Sequence, residues 1–466
     1  MKKKILATML CVAMTAGCLA GCGGSSNAGS ESKSDTTGTT TAATESAKAD
    51  DGAASSGSGD EEVEFYMFIS SPEYADSINE LLTEYKKVKP NVTINYETTQ
   101  NDYPTMLKAK LNSGECPDIF SSTAGKEIET YKEYSYDLSG QPVQEALLPA
   151  IQTSMQDADG NGCYGFHYVG DQYGIIYNQD CLDAAGITEL PKTPDEFIAD
   201  LQLIKDNTDA IPLYTNYAAG WTMGGQWDAY LGAITTGDET WLNQKFVHTA
   251  EPFKDNGDGT GAYALYKMLY DAVANGLTED DYSTTDWEGC KPMINNGEIG
   301  TMVLGSWAVA QMKAAGDNGD DIGYMPFPMT INGKQYTTAG PDYCYGINVH
   351  ASDENKTAAM VFVKWMVEES GWCDLEGGYP ISKTAPTSFT FDNVEVVSNV
   401  TALDGEEDLM NEMNAESELN FNAGGDLKVQ KIVEEAANGG SFDDIMADWT
   451  QKWNDAQDTL GIEVKY

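Results

Sequence analysis

The chain has 466 residues, enough for two or three domains of ~100–200 residues each. It carries 74 acidic residues against 27 basic ones, all lysine, and the formal net charge of −47 excludes nucleic acid and anionic membrane surfaces as favourable partners. The absence of arginine and the presence of only three histidines disfavour a specific anionic ligand, a zinc centre and histidine acid–base catalysis.

The N-terminus has the pattern of an export signal. Three lysines at positions 2–4 precede an apolar stretch from Ile5 to Ala20, which is shorter than the ~20 residues of a transmembrane helix. The stretch ends in Leu19-Ala20-Gly21-Cys22, which resembles the bacterial lipobox, in which the cysteine becomes the lipidated first residue. We predict a lipoprotein signal peptide over residues 1–21 and a palmitate-type anchor on Cys22. An ordinary secretory signal that contains a cysteine is the alternative.

Residues 22–61 are predicted to be this lipidated cysteine followed by a disordered tether. The chain from Gly23 to Asp60 consists mainly of Ser, Thr, Gly and Ala without apolar periodicity, so it cannot bury enough surface to fold. A flexible coil of this length spans about 30–40 Å on average. We therefore expect a monomer on the extracellular face of the cytoplasmic membrane, which touches the membrane only through its lipid anchor.

Six cysteines follow the anchor: Cys116, Cys163, Cys181, Cys290, Cys344 and Cys373. An exported chain permits disulfides, and the even number allows them. Because the spacing is wide and irregular, buried free thiols fit as well, and the sequence leaves this choice open.

Apolar periodicity predicts a β-α-β-α-β series at the start of the folded part. Alternating residues predict strands at 63–69 and 92–96, and a short apolar run predicts a third strand at 117–120. Helical spacing at 75–85 and at 106–111 predicts the two helices between them. Such a series indicates a parallel sheet with right-handed crossovers.

The second half of the chain also has an α/β pattern. Thr193-Pro194-Asp195-Glu196 combines a capping hydroxyl, a first-turn proline and a glutamate, and so predicts a helix start. Strands are predicted at 211–214 and 301–304, and the second of these turns through Gly305-Ser306-Trp307 into a helix. Ser441 is the predicted cap of a last helix in which Trp449 and Trp453 form a core stripe.

The chain lacks the common catalytic motifs. It has no G-x-S-x-G nucleophile elbow, no H-E-x-x-H, no C-x-x-C and no P-loop. The segment 157–162 matches the first half of a calcium loop, but Tyr168 stands where a bidentate glutamate is needed, so a polar turn is favoured over calcium. A carboxylate pair for glycoside hydrolysis remains open, because sequence gives no separation between the 74 acids.

Several segments, in order along the chain, match a known family. They are Val63–Pro90, Tyr103–Leu111, Ser113–Phe120, Tyr164-Gly165-Phe166, Ile176-Tyr177-Asn178, Ala185-Gly186-Ile187, Pro191-Lys192-Thr193, Gly305-Ser306-Trp307, Met325–Pro328, Lys356–Ala359 and Phe362–Met366. Together they resemble extracellular solute-binding protein family 1, the carbohydrate-binding lipoproteins of ABC transporters that include maltose-binding-type proteins. Two departures concern detail: Ser121, Ser122 and Thr123 replace the maltodextrin contact set, and His167 replaces a proline.

The resemblance implies a two-lobed periplasmic-binding-protein-like α/β fold with several hinge crossovers. Each lobe would be a mostly parallel sheet flanked by helices. The first lobe is expected to comprise residues 62–170 with 327–369, and the second residues 171–326 with 370–466.

The implied function is the capture of a neutral sugar or oligosaccharide in the cleft between the lobes, followed by hinge closure and delivery to a permease. The expected partners are that ligand and two transmembrane permease subunits with their ATPase. No cofactor and no enzymatic reaction is expected. The alternatives are a surface-anchored glycoside hydrolase or lyase and, less in keeping with the few histidines, a peptide- or metal-binding lipoprotein.

Ligands of open α/β sheets bind beyond the carboxyl ends of strands, which directs attention to 68–70, 121–123, 216–221 and 306–307. Trp307 is the principal candidate, because it follows a buried strand on a glycine turn and matches the sugar-stacking tryptophan of the family. The other candidates are Phe68, Ser70, Ser121, Ser122, Thr123, Trp221, Trp227, and, by resemblance, Asp171, Asp342, Tyr343, Phe421, Asn422 and Asp426. Trp287, Trp365 and Trp372 are assigned to the core.

Overall fold

The computed structural model describes residues 61–71, 74–99, 103–113, 116–122, 126–147, 149–157, 160–341, 344–375, 381–383, 394–397, 402–403, 405–406, 408–421 and 427–466. The predicted signal peptide, Cys22 and the tether up to residue 60 lie outside these ranges. None of the helices within them is both long and apolar enough to cross a membrane.

The strands, in chain order, are β1 Val63–Ile69, β2 Val92–Thr98, β3 Ile119–Ser122, β4 Phe166–His167, β5 Gly170–Asn178, β6 Ile211–Leu213, β7 Ile299–Gly305, β8 Ile322–Pro326, β9 Thr330–Ile331, β10 Lys334–Pro341, β11 Cys344–Ile347 and β12 Val394–Val397. The helices are α1 Ala75–Val88, α2 Tyr103–Leu111, α3 Lys126–Tyr131, α4 Pro142–Glu145, α5 Pro149–Ser154, α6 Gln179–Ala185, α7 Pro194–Asn207, α8 Gly220–Asp228, α9 Ala233–Thr236, α10 Gly261–Ala274, α11 Trp287–Asn295, α12 Ala308–Ala314, α13 Asp353–Glu368, α14 Trp372–Leu375, α15 Leu409–Ser417, α16 Leu427–Ala437 and α17 Phe442–Leu460.

The predicted helix starts are confirmed. α7 begins at Pro194, and Thr193 Oγ1 accepts a hydrogen bond from the backbone N–H of Glu196 at 3.2 Å. α17 begins after Ser441, whose Oγ accepts from the N–H of Asp444 at 3.2 Å. Local capping chemistry therefore sets both starts as the sequence indicated.

The strands form two sheets. The first has the order β2-β1-β3-β11-β4, and the second has the order β12-β10-β5-β7-β6, with β8 beside β5 and β9 beside β10. Helices flank both sheets, which confirms the predicted two-lobed α/β class. We call the part built on the first sheet the first lobe and the part built on the second sheet the second lobe.

Both sheets are mixed rather than mostly parallel. β1 is parallel to β2 and β3, but β11 runs antiparallel to β3 and β4. In the second sheet β6 and β7 are parallel, as are β10 and β12, whereas β5 is antiparallel to β7, β8 and β10. The reason is that β5 and β11 each enter their sheet from the other lobe, and so run against the strands that begin within it.

Among the described residues, consecutive segments lie in different sheets at three points. The first is Tyr168–Val169, which joins β4 to β5, and the second is the step from β10 to β11. These two are neighbours, because β5 pairs with β10 and β4 and β11 are adjacent in the first sheet. At the third, Ser382 is bridged to Leu147 in the first lobe, whereas β12 pairs with β10 in the second sheet.

The structure differs from the predicted lobe boundaries at two points. Residues 327–341 lie in the second lobe, where β9 and β10 pair and Phe327 joins the core. Residues 372–375 and 381–383 lie in the first lobe, where Trp372 is buried in the core and the N–H of Lys383 donates to Ala146 O at 3.0 Å. The pattern of apolar residues in a sequence indicates that a segment is buried, but it does not indicate which of the two cores buries it.

The second-lobe core contains one ion pair that is removed from water. Asp228 at the end of α8 is fully buried, and its carboxylate bonds Lys428 Nζ on α16. Tyr266 on α10 donates its hydroxyl to Asp228 Oδ1 at 2.6 Å, and Lys428 Nζ lies 4.4 Å from the centre of the Phe421 ring. Trp449 and Trp453 belong to the same core, as predicted. The pair therefore joins three helices inside an aromatic core.

We predict that Lys428→Met lowers the free energy of unfolding by about 3–5 kcal/mol, because it leaves the Asp228 carboxylate buried without its cation. Urea unfolding followed by circular dichroism measures this loss. The control is Lys452→Met, which removes an exposed pair with Asp448 at 2.8 Å and should cost about 0.3–0.5 kcal/mol. Equal losses in the two variants would contradict the structural role of the buried pair.

Candidate functional site

Carboxyl ends of strands from both sheets lie beside the crossovers. β5 enters the second sheet directly from the first lobe, and its Tyr173 pairs with Gly305 at the carboxyl end of β7. In the first sheet, Cys344 at the start of β11 pairs with Ser122 at the carboxyl end of β3. The strand ends of both lobes are therefore on the crossover side, where ligands of α/β sheets bind.

Three tryptophans form a cluster at this end of the second sheet. The ring centres of Trp221 and Trp287 are 5.1 Å apart, and each ring lies 5.6 Å from the centre of the Trp307 ring. The rings are tilted or edge-to-face, the arrangements that aromatic pairs prefer. We call these three residues the tryptophan cluster.

Each tryptophan of the cluster lies at the start of a helix. Trp221 is in the first turn of α8, Trp287 is the first residue of α11, and Trp307 immediately precedes α12. Asp286 caps α11 by accepting a hydrogen bond from the N–H of Gly289 at 2.8 Å. Three separate helix starts thus bring indole rings to one place.

Gly305 leaves room for the indole ring of Trp307. A Cβ atom at Gly305 would lie 2.4 Å from Trp307 Nε1, which is closer than any real contact, so the indole lies across the space that a side chain would fill. The N–H of Gly305 donates to Gln226 Oε1 on α8 at 3.1 Å. Ser306 and Gln172 of β5 exchange hydrogen bonds of 2.9 and 3.1 Å, which fixes the turn to the strand that enters from the first lobe.

The cluster presents an apolar surface with limited exposure. Trp221 is 40% exposed, and Trp287 and Trp307 are half-buried against the core on this face of the second sheet. A sugar ring has an apolar C–H face and a rim of hydroxyl groups, and an aromatic plane suits the first of these. The arrangement therefore fits stacking of a carbohydrate better than catalysis.

One cation lies against the cluster. Lys291 Nζ is 4.8 Å from the centre of the Trp287 ring, and it also contacts both carboxylate oxygens of Glu288 at 2.9 Å. Its charge is therefore already balanced by a neighbouring acid. This favours a neutral ligand over an anionic one.

Asp171 lies close to the Trp307 turn in the structure. It is buried in β5, pairs with Gly340 of β10, and precedes Gln172, which bonds Ser306. The structure thus brings this predicted residue to the crossover, one residue from the hydrogen bonds that hold the turn.

The first-lobe candidates lie together at the ends of β1 and β3. Phe68 is buried in the core, stacked on Tyr103 with ring centres 4.8 Å apart. Ser121 Oγ accepts from the N–H of Ser70 at 3.2 Å, and Ser122 Oγ lies 3.1 Å from Cys344 Sγ. Both serine hydroxyls thus make contacts within the lobe in this structure.

Two other candidates belong to the second-lobe core. Trp227 and Phe421 are buried, so neither presents a ring face to a ligand here. Thr123, Asp342, Tyr343, Asn422 and Asp426 lie outside the described residues, as does Cys22.

The segment that resembles half a calcium loop and the six cysteines can be compared with the structure. Asp157 accepts the ammonium of Lys132 at 2.6 Å and the N–H groups of Asn161 and Gly162, so both of its carboxylate oxygens have partners within the lobe. Within the described ranges no cluster of His, Cys, Asp and Glu is suited to a metal ion. The six cysteines after the tether are free thiols, and burial raises the pKa of Cys290 to about 12.

Trp287 packs half-buried against the core, to which the sequence assigned it, and it also belongs to the tryptophan cluster, which the sequence did not indicate. The signal that could have identified it is shared by all three members, namely a tryptophan at the start of a helix after a strand or loop. No fixed sequence spacing relates the three positions, because they meet only through the sheet.

Comparison with known proteins identifies relatives over most of the folded part. Residues 70–371 match the model of a family described as bacterial extracellular solute-binding protein. A probable sugar-binding periplasmic protein of Rhizobium meliloti is 23% identical over 244 residues, which cover 50% of this chain and 56% of the relative. The chain thus spans a little over half the length of this curated relative.

Two solved structures from Bifidobacterium animalis subsp. lactis are more similar. One is a manno-oligosaccharide specific solute binding protein in complex with mannotriose, 41% identical with a TM-score of 0.74. The other, a binding protein of an ABC transporter in complex with mannotriose, is 43% identical with a TM-score of 0.72. Each match covers 86% of this chain and 96% of the solved chain.

We predict that Gly305→Ala displaces the Trp307 indole and changes the near-ultraviolet circular dichroism of the protein, while the fold is retained because the indole can rotate away. The control is Gly220→Ala beside Trp221, where an added Cβ would meet Gln430 at an ordinary 3.7 Å. A spectrum unchanged by Gly305→Ala would show that the indole does not occupy this space.

Proposed function

The chain belongs to the bacterial extracellular solute-binding proteins, and from that membership we propose that it captures a neutral manno-oligosaccharide between its lobes and delivers it to an ABC-transporter permease. The expected permease has two transmembrane subunits and an associated ATPase. The protein itself breaks no bond in this proposal.

The observation that carries the proposal is the tryptophan cluster in a chain similar to two proteins solved with mannotriose. The cluster offers an aromatic surface at the carboxyl ends of second-lobe strands. Polar groups at the crossover, with Asp171 foremost, would exchange hydrogen bonds with the hydroxyl rim. Trp307 and Trp221 are the proposed stacking residues, and Trp287 joins them.

The proposed ligand is neutral. The chain has no arginine, and Lys291 beside the cluster is already paired with Glu288. Burying a sugar carboxylate or sulfate without a paired cation would be costly. The net charge of −47 also repels anions at long range.

Hinge closure completes the proposal. The paired β5 and β10 strands can bend where they leave the second sheet, and a ligand that contacts both lobes stabilises the closed state by its differential affinity for it. A permease can thereby distinguish loaded from empty protein.

We predict that mannotriose lowers the radius of gyration of the protein, measured by small-angle scattering, because the lobes close on the ligand. An unchanged radius of gyration would contradict closure.

We predict that titration calorimetry detects mannotriose binding to the wild-type protein, and that Trp307→Ala weakens it by about 2–4 kcal/mol, the range for a buried aromatic anchor. Trp241→Ala, at a half-buried tryptophan of the second lobe outside the cluster, is the matched control. The sugar should be recovered intact, whereas hydrolysis would favour the glycosidase alternative. Undiminished affinity in Trp307→Ala would contradict the assigned site. Preference for a uronic or sulfated glycan would contradict the neutral ligand.

We also propose that Cys22 is lipidated and anchors the protein to the extracellular face of the cytoplasmic membrane. The lipobox-like segment 19–22 and the tract of small polar residues that follows it support this. Cys22→Ala should leave sugar binding unchanged and abolish incorporation of a radioactive fatty acid. Labelling that persists in this variant would overturn the anchor.

A further inference from the structure

Two loops of the second lobe are joined along their length, and each ends at a tryptophan of the cluster. The first loop, residues 214–219, follows β6 and leads to Trp221 on α8. The second loop, residues 277–286, follows α10 and leads to Trp287 on α11. The contacts between them begin at the end of β6, where the N–H of Leu213 donates to Leu277 O at 3.0 Å.

Glu279 makes two side-chain contacts between the two loops. Its Oε2 accepts the backbone N–H of Thr215 at 3.0 Å, and its Oε1 accepts the Thr215 hydroxyl. Thr215 Oγ1 in turn accepts the N–H of Tyr217 at 3.2 Å. The Glu279 carboxylate therefore binds both the N–H and the hydroxyl of Thr215. Through the Thr215 hydroxyl it is also connected to Tyr217.

Further contacts continue toward the tryptophans. Thr285 Oγ1 accepts the N–H of Ala218 at 2.8 Å, and the rings of Tyr217 and Tyr282 lie 4.5 Å apart. Tyr214 Oη accepts the N–H of Asp286, the cap of α11, at 2.9 Å. The spacing between Trp221 and Trp287 thus follows from how closely the two loops are held.

We propose that Glu279 is a positioning residue for ligand binding, which sets the spacing of Trp221 and Trp287 by tying the second loop to Thr215 in the first. This inference rests on the proposed function, since it assigns the tryptophan cluster to the ligand. Glu279 does not touch the ligand in this account.

A carboxylate suits this position because two donors of Thr215 reach its two oxygens. Burial raises the pKa of Glu279, while the hydrogen bonds from Thr215 act in the opposite direction and favour the charged form. Glu279 also lines a groove of about 630 Å³ together with the acidic residues Asp209, Asp280, Asp281 and Asp286. A glutamine could keep the contacts, since the Thr215 hydroxyl can accept from its amide.

The test compares three variants of the whole protein. Glu279→Ala removes the tie, Glu279→Gln preserves its shape and hydrogen bonding, and Asp280→Ala removes an equal charge from an exposed neighbour in the same loop. Near-ultraviolet circular dichroism without ligand measures the cluster, titration with mannotriose measures binding, and thermal unfolding confirms that each variant is folded.

We expect Glu279→Ala to change the spectrum and to weaken mannotriose binding about tenfold, equivalent to about 1.4 kcal/mol. Glu279→Gln and Asp280→Ala should keep both the spectrum and the affinity of the wild type. A wild-type spectrum and affinity in Glu279→Ala would overturn the proposal. An equal loss in Asp280→Ala would also overturn it, because loop charge rather than hydrogen bonding would then be responsible.

Two provisions keep the result decisive. If Glu279→Ala does not fold, Thr215→Val provides the test, because it removes the hydroxyl and leaves the 3.0 Å hydrogen bond from the backbone N–H of residue 215. This variant should change the spectrum to a smaller extent. An unchanged spectrum would count against the proposal. If wild-type protein does not bind mannotriose, the proposed ligand is wrong, but the spectra without ligand still decide whether Glu279 positions the cluster.

Discussion

The pairing of β5 with β10 is the constraint on which the two-lobed arrangement depends. Asp171 and Gly340 lie opposite each other in this antiparallel pair, and both strands continue into the first sheet within a few residues. Since two passages of the chain run side by side, each lobe is assembled from separate stretches of sequence.

The strand that enters the second lobe from the first also holds the turn before Trp307. Gln172 of β5 exchanges two hydrogen bonds with Ser306, and Trp307 follows directly. Tyr324 on β8 also donates its hydroxyl to Gln172 O, at 2.8 Å. The start of β5 and the Trp307 turn are therefore joined directly by hydrogen bonds.

Local signals in the sequence predicted much of the fold. Thr193 and Ser441 cap helices where the sequence indicated. The early strands lie where alternating apolar residues predicted them. Strand direction could not be predicted, because periodicity is the same whether a strand enters from its own lobe or from the other one. The lobe predicted for residues 327–341 was wrong for a related reason, since apolar residues are buried equally well by either core. Trp287 was missed because its neighbours in the cluster are distant in sequence.

Hydrogen bonds hold both ends of α8, the helix that carries Trp221. At its carboxyl end, Asp228 bonds Lys428 and Tyr266, and Gln226, two residues earlier, accepts from the N–H of Gly305. At the other end, the joined loops hold the turn that leads to Trp221. The Trp221 ring is 40% exposed and is carried on this helix. Since ordering costs reduce affinity, a ring held in this way would suit the stacking role that we propose for Trp221.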